Sequence, residues 1–213
     1  MNAIDASVRQ EKARVYIVDD DVAVRESLLW LLESVGCAAQ AFGSATDFLS
    51  GINPDLPGCL ILDVRMPSIG GFELHNMVRE RAPALSTIFI TAHGDVPMSV
   101  RAMKAGAFDF LEKPFNYQAM IDTVQMGVGR SCELLETQRQ KRGMEEKLNL
   151  LSPRENEVLK RMTEGLLTKQ IAFELGLSIK TVEVHRASIK RKLQIDSIAR
   201  IVAMMTQAGA PLH

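Results

Sequence analysis

Four stretches of this 213-residue chain end in groups that could share one piece of chemistry. Asp19, Asp20 and Asp21 follow the apolar run VYIV, Asp63 closes CLIL, Thr91 closes TIFIT, and Lys113-Pro114 comes just past FDFL. Several carboxylates in one crevice repel, so one must take up a proton unless a cation sits among them. A hard divalent cation that takes oxygen ligands, keeps waters and needs only one or two carboxylates has the chemistry of Mg2+. Asp19 and Asp20 make half of such a site. With Asp63 as a third oxygen donor, a Thr91 hydroxyl and a Lys113 ammonium, the inventory suits phosphoryl transfer, and Asp63 would be the acceptor. An acyl phosphate there adds negative charge, tolerable only with Mg2+ and Lys113 in place. A triple Asp after a strand also reads as a helix N-cap with solvated charge, and that reading stands for Asp19 to Asp21 alone.

Placing these groups on one rim is the task of the elements around them. Short apolar runs recur through the first part of the chain as VYIV, CAAQAF, CLIL, TIFIT and FDFL, and segments of helical spacing separate them. Val24, Leu28, Leu31 and Val35 form one such stripe, closed by Gly36; Phe72, Leu74 and Val78, then Val96, Val100 and Met103, then Tyr117, Met120, Ile121 and Val124 form the next three. Strand and helix thus alternate, which calls for a parallel sheet covered by helices on both faces and joined by right-handed crossovers. VYIV, CLIL and TIFIT are apolar throughout and suit central strands; CAAQAF and FDFL are interrupted by polar residues and suit the edges. In such a sheet the site lies beyond the carboxyl ends of the strands, near the point where strand order reverses.

Residues Arg14 to about Val128 resemble the receiver domain of two-component response regulators, through VDDD, LILDVRMP followed by Gly70-Gly71, ITAHGD and AGAFDFLEKPF. The resemblance implies a flavodoxin-like α/β receiver with a five-stranded parallel sheet in the order 2-1-3-4-5. It also implies Asp63 as phospho-acceptor, and Asp19 and Asp20 as the acidic metal pair. The backbone carbonyl of Arg65 becomes a further Mg2+ ligand, Thr91 the switch hydroxyl, Lys113 the phosphate-binding lysine before a cis-Pro114, and Phe110 the mobile aromatic. Phe110 lacks the hydroxyl of a Tyr, so its two positions would differ by packing alone. Arg65 and His93 flank the phosphoryl site by position and are expected to set access of the hydrolytic water.

From Met126 to Asn149 the chain turns polar, which suits a charged helical linker interrupted at Gly143, or a flexible tether. Charge divides in the same region. Residues 1–143 hold 14 basic and 18 acidic side chains, whereas 144–213 hold 11 basic and 8 acidic, pointing to two domains with different partners. The expected division is a flexible extension at 1–12, a receiver at 13–128, a helical linker at 129–148 and a second domain at 149–213.

In the second part, Ser152, Pro153 and Glu155 form a capping box with Pro at the first helical position, ahead of a helix stopped by Gly165. Thr168 is expected to cap a short helix broken at Gly176, and Ser178 to cap another that runs to about Leu193, together a helix-turn-helix. On the longer helix, Val182, His185, Ile189 and Leu193 form the inward stripe. The opposite face carries Lys180, Glu183, Val184, Ala187, Ser188 and Arg191, with Arg186, Lys190 and Lys192 along its sides, a surface suited to the major groove or, more plainly, a solvated face. A last stripe, Ile198, Ile201, Val202 and Met205, would close the domain and meet a partner subunit.

LSPRENEVL and GLLTKQIAFELGLSIKTVEVHRASIKRKL resemble the all-α, four-helix LuxR-type DNA-binding domain, and the two halves together are similar to the FixJ/NarL family. That resemblance implies base-edge contacts from Glu183, Val184 and Ala187, and phosphate contacts from Lys169, Thr181, Arg186 and Lys190. It also implies a sensor histidine kinase, promoter DNA, a phosphorylation-dependent homodimer and RNA polymerase as partners, with no membrane.

Rival functions meet specific obstacles. An aspartyl phosphatase needs a second carboxylate two residues after the nucleophile, where this chain has Arg65, so the protein is expected not to be a turnover enzyme. A flavin phosphate would be repelled by the triple Asp, and no glycine-rich nucleotide loop occurs. A helical domain that binds RNA or protein stays open at this level. Cys37, Cys59 and Cys132 show no metal-ligand spacing and suit buried thiols. Apolar runs are too short for a membrane span, and Met1 to Lys12 lacks the apolar core of a signal peptide, so a cytoplasmic protein is expected.

Overall fold

The computed structural model describes residues 13–195 together with Ser197 and Ile201. The expected extension at 1–12 and the closing stripe, apart from Ile201, lie outside the described residues. The chain divides into two compact units, Met1–Leu135 and Glu136–His213.

The first unit alternates strand and helix: β1 Arg14–Val18, α1 Val22–Ser34, β2 Ala39–Phe42, α2 Ala45–Gly51, β3 Gly58–Asp63, α3 Gly71–Arg81, β4 Ser86–Thr91, α4 Val96–Lys104, β5 Asp109–Glu112 and the first part of α5 Tyr117–Asn149. All strands are parallel, in the order β2-β1-β3-β4-β5. The central strands β1, β3 and β4 are the most apolar, since both of their faces are covered, although β4 also buries Ser86, Thr87 and Thr91. Every residue of β3 and β4 is buried. Leu60, Ile61 and Leu62 are fully enclosed, each contributing roughly 1.5–3 kcal/mol by leaving water. One sheet face packs Val15, Ile17, Ile61, Ile88 and Ile90 under Leu28, Leu32, Met120 and Val124 of α1 and α5. The other packs Tyr16, Val18, Leu60, Leu62 and Phe89 under Phe48, Leu74, Val78 and Ala102 of α2, α3 and α4.

Local signals fix where these elements start and stop. Asp21 caps α1 by accepting from the Ala23 N–H, and Asp95 caps α4 by accepting from the Met98 N–H. Gly36, at φ 77°, turns the chain out of α1, as its place in the sequence predicts. Gly71 allows a close approach no other residue could make, because a Cβ there would lie 2.3 Å from the Asp63 carbonyl oxygen.

Two expectations about helix faces need correction. Val96, Val100 and Met103 of α4 do not face the sheet; they are 76%, 46% and 50% exposed, while Ala102 is the buried residue of that helix. Helical spacing identifies a stripe but not the side of the helix that meets the sheet. Tyr117, the first residue of the α5 stripe, is likewise exposed, whereas Met120, Ile121 and Val124 are buried. Gly143 does not interrupt the expected linker either. It lies inside α5, a continuous helix of 33 residues, which a single glycine interrupts only weakly at a cost of about 1 kcal/mol relative to Ala. Residues 129–148 are therefore the later part of one helix, and the compact units divide within it at Leu135 and Glu136.

The second unit holds α6 Pro153–Thr163, α7 Thr168–Leu175 and α8 Ile179–Leu193 around a core of Val158, Leu159, Met162, Ile171, Val182, Ile189, Leu193 and Ile201. Eight helices are thus present among the described residues. The capping box of α6 forms as its sequence predicts, with Glu155 N–H donating to Ser152 Oγ and Ser152 N–H to a Glu155 oxygen. Ser178 caps α8. Thr168 does not cap α7: it is the first helical residue, and the N-cap is Leu167, whose N–H donates to Gln170 Oε1 at 2.8 Å.

Candidate functional site

Sheet register brings the four sequence segments to one rim. Val18 pairs with Leu62, so Asp19 stands level with Asp63; Asp63 pairs with Ile90 and Thr91 with Glu112, so Thr91 and Lys113 follow one step further along. Neighbouring strands lie about 4.8 Å apart, within reach of side chains that lean over the sheet edge.

Lys113 is the group that joins them. Its Nζ donates to Asp19 Oδ2 at 2.6 Å and to Asp63 Oδ1 at 2.8 Å. Asp19 is 1% exposed and Asp63 6% exposed, so two desolvated carboxylates share one ammonium. The remaining oxygens are also engaged: Asp19 Oδ1 accepts from the Asp21 N–H and Asp63 Oδ2 from the Arg65 N–H. Burial pushes the Asp19 carboxyl above the ordinary aspartate range, against the opposing pull of the Lys113 and Asp21 hydrogen bonds. Burial also opposes the Lys113 charge, but its bonds to the two acids together outweigh that and hold the ammonium above the ordinary lysine range.

Thr91 is 1% exposed, and its Oγ1 accepts from the His93 N–H at 3.3 Å. That bond uses an acceptor site and leaves the O–H proton available to another oxygen. Asp20, Arg65 and His93 are exposed. Phe110 is half-buried against the Phe89 side of the core, and its ring passes Gly94 so closely that a Cβ there would meet Cε1 at 3.2 Å. The Lys113-Pro114 bond is cis.

Two groups on this rim were not singled out by sequence reasoning. Arg25 Nη1 donates to the Asp19 carbonyl at 2.7 Å, and Glu112 Oε1 accepts from the Gly94 N–H at 3.2 Å. Arg25 sits in an otherwise ordinary polar position of α1, and nothing in its spacing announces the contact.

Oxygen chemistry at this rim fits a hard cation. Among the described residues no three His, Cys, Asp or Glu side chains gather as a protein cage. Mg2+ does not need one, because it keeps waters and binds through one or two carboxylates.

In the second unit, α8 exposes Lys180, Glu183, Val184, Ala187 and Arg191, with Thr181, Arg186 and Lys190 half-buried at its sides; Lys169 is exposed on α7. Two residues of the expected basic face turn inward instead. Lys192 Nζ donates to Glu155 Oε2 at 2.6 Å and to the Leu150 carbonyl at 3.0 Å, and Ser188 also hydrogen-bonds Glu155. The Lys192 bond, with those from Ser152 and Ser188, holds the buried Glu155 carboxyl down at about 2. The capping box marked Glu155 as a residue that reaches backward, but no chain signal ties it to α8. His185, on the inward stripe, is half-buried.

Family models match both units. Residues 15–125 match the response regulator receiver domain, and residues 149–205 match the luxR family of bacterial regulatory proteins. The chain belongs to the response regulators of the FixJ/NarL type. It is 44% identical over 199 residues to the transcriptional regulatory protein FixJ of Azorhizobium caulinodans, covering 93% of this chain and 94% of that protein. Nodulation protein W of Bradyrhizobium diazoefficiens is 41% identical over 198 residues, 93% of this chain and 87% of that one. Among solved structures, the response regulator StyR superposes with a TM-score of 0.82 at 42% identity, over 92% of this chain and 99% of that chain. Full-length FixJ from B. japonicum gives 0.55 at 35% identity, over 94% and 98%. The chain is accordingly a transcriptional regulator with a receiver and a LuxR-type DNA-binding domain. Among the described residues no helix is long and apolar enough to cross a membrane.

Proposed function

We propose that this response regulator accepts a phosphoryl group on Asp63 from a sensor histidine kinase, dimerises, and then binds promoter DNA, where RNA polymerase is the further partner. The observation that carries the reading is the ammonium of Lys113 between the buried carboxylates of Asp19 and Asp63. An ammonium held there is placed to meet a phosphoryl oxygen as soon as one arrives on Asp63.

In this reading an Asp63 oxygen attacks phosphorus, the bond from phosphorus to the donor's imidazole nitrogen breaks, and the imidazole takes up a proton. Asp19, Asp20, Asp63 and the Arg65 carbonyl would hold Mg2+, which when bound supplies positive charge against the phosphoryl oxygens. Lys113 leaves its position between the acids for the phosphoryl group. Thr91 donates its free O–H proton to the same group while still accepting from His93. Drawing Thr91 inward opens the space into which Phe110 moves, and Gly94 leaves the ring room to pass. Arg65, whose N–H meets the acceptor, and His93, whose N–H meets Thr91, are exposed and control the approach of hydrolytic water.

A groove of about 300 Å3 lined by Val24, Leu28, Lys113, Pro114, Phe115 and Tyr117 opens beside Lys113 and offers a place for the donor to dock. The outward stripe of Val96, Val100 and Met103 on α4 supports a dimer surface there, since an apolar row of this kind is stabilised by a partner. In the second unit, Glu183, Val184 and Ala187 face bases, with Val184 and Ala187 suited to thymine methyls, while Lys169, Lys180, Thr181, Arg186, Lys190 and Arg191 meet phosphate and sugar.

Mass spectrometry of the full chain after incubation with Mg2+ and a small acyl phosphate donor tests the reading. One phosphoryl group should appear on wild type and none on Asp63→Asn, and only the phosphorylated wild type should dimerise by sedimentation. Modification or dimerisation of Asp63→Asn to the same extent refutes it.

A further inference from the structure

The rim contains a cation with no carboxylate partner among the described residues. Arg25 is half-buried on α1, and its Nη1 donates to the main-chain carbonyl of Asp19 at 2.7 Å rather than to any acid. The guanidinium also borders the loop after β2, where a Cβ at Gly43 would meet Nη1 at 3.4 Å, Cζ at 3.5 Å and Nη2 at 3.6 Å, ordinary contact distances. Arg25 therefore spans three segments: the helix it belongs to, the end of β1, and the β2–α2 turn.

The acceptor it holds matters because of peptide geometry. Asp19 C=O and Asp20 N–H belong to one rigid trans plane and point in opposite directions. Fixing the carbonyl sets the orientation of that plane, and so the direction in which the chain leaves Asp19 for Asp20. On the Asp19 side the chain is held again, by the Asp19 N–H to the Phe42 carbonyl at 3.3 Å and by the Asp21 N–H to Asp19 Oδ1 at 2.9 Å. The carbonyl between these two bonds is fixed by Arg25.

We propose that Arg25 is a positioning residue for the acidic pair, locking the Asp19-Asp20 peptide so that both carboxylates are presented to a divalent cation. This rests on the phosphoryl-transfer reading above, in which Asp19 and Asp20 serve Mg2+. Charge alone makes the opposite forecast. A guanidinium near a cation site repels the cation, so if Arg25 acted only through its charge, removing it would tighten Mg2+ binding. The sign of the change decides between the two.

The test is calorimetric titration of the full chain with MgCl2 alone, for wild type, Arg25→Met and Arg25→Lys, with thermal unfolding recorded for each. Loss of an outer-shell partner weakens metal binding roughly 10-fold or more, which is the change expected for Arg25→Met. Arg25→Lys, which keeps a donor on a long stem, recovers part of the affinity. A residue that merely supports the fold would lower the unfolding midpoint while leaving Mg2+ affinity of the folded protein unchanged. Equal or tighter Mg2+ binding by Arg25→Met overturns the inference while leaving the phosphoryl-transfer reading intact. Wild type that binds no Mg2+ overturns that reading and this inference with it.

Discussion

Replacing Lys113 by Met removes one ammonium and keeps most of the apolar stem. What remains is a pair of acids, 1% and 6% exposed, that have lost the cation 2.6 and 2.8 Å away. Removing one partner of a buried ion pair costs about 3–5 kcal/mol, and the Lys113 side chain is 18% exposed, so solvent screening favours the lower end. The expected loss is about 3 kcal/mol at pH 7, a fall of roughly 10 °C in the unfolding midpoint.

The pH dependence has a definite sign. Asp19 already titrates above its ordinary value because of burial, and Lys113, together with the Asp21 N–H, opposes that rise. Without Lys113 the carboxyl rises further, so the folded state binds a proton more readily than the unfolded chain does. The deficit is therefore full above the raised value and shrinks as pH falls from there toward the ordinary 3.8. In wild type, the raised value of Lys113 means that its contribution is full below about 10.5 and is lost as pH climbs past the folded value. Urea unfolding of wild type and Lys113→Met from about pH 4 to 11, with and without Mg2+, measures both limbs. Mg2+ should restore much of the loss, since a divalent cation replaces the missing ammonium. A deficit that is independent of both pH and Mg2+ would refute the reasoning and assign the effect to packing of the stem.

Two further outcomes concern the second unit. Glu155 titrates at about 2 in the folded state against an ordinary 4.5, so its stabilisation is present above about 4.5 and is lost as pH falls toward 2; Glu155→Gln should remove this acid limb from the thermal unfolding of the full chain. Lys190→Ala should reduce the salt slope of DNA binding by about 1, as for one phosphate contact, whereas Lys192→Met should leave the slope unchanged and lower the unfolding midpoint, because that ammonium is committed to Glu155.

The sequence by itself determined the architecture and the chemical inventory. Mostly apolar runs separate central from edge strands because two covered faces bury nearly every side chain, though β4 also buries the hydroxyls of Ser86, Thr87 and Thr91, and caps such as Asp21, Ser152 and Ser178 act within a few residues of where they stand. The same locality placed Asp19, Asp63, Thr91 and Lys113 at strand ends, and their strand-end positions suggested a shared rim. Only the tertiary structure decided which of them touch. Lys113 meets Asp19 across 94 residues of chain and Asp63 across 50, distances over which periodicity carries no information. It also decided which side of a helix is inside, turning Val96, Val100 and Met103 outward and Ser188 and Lys192 toward Glu155. A stripe on a helix is a local property, but the surface it meets is supplied by residues far away in sequence, and long polar side chains such as Arg25 and Lys192 reach whichever partner the packed fold brings within a few ångströms.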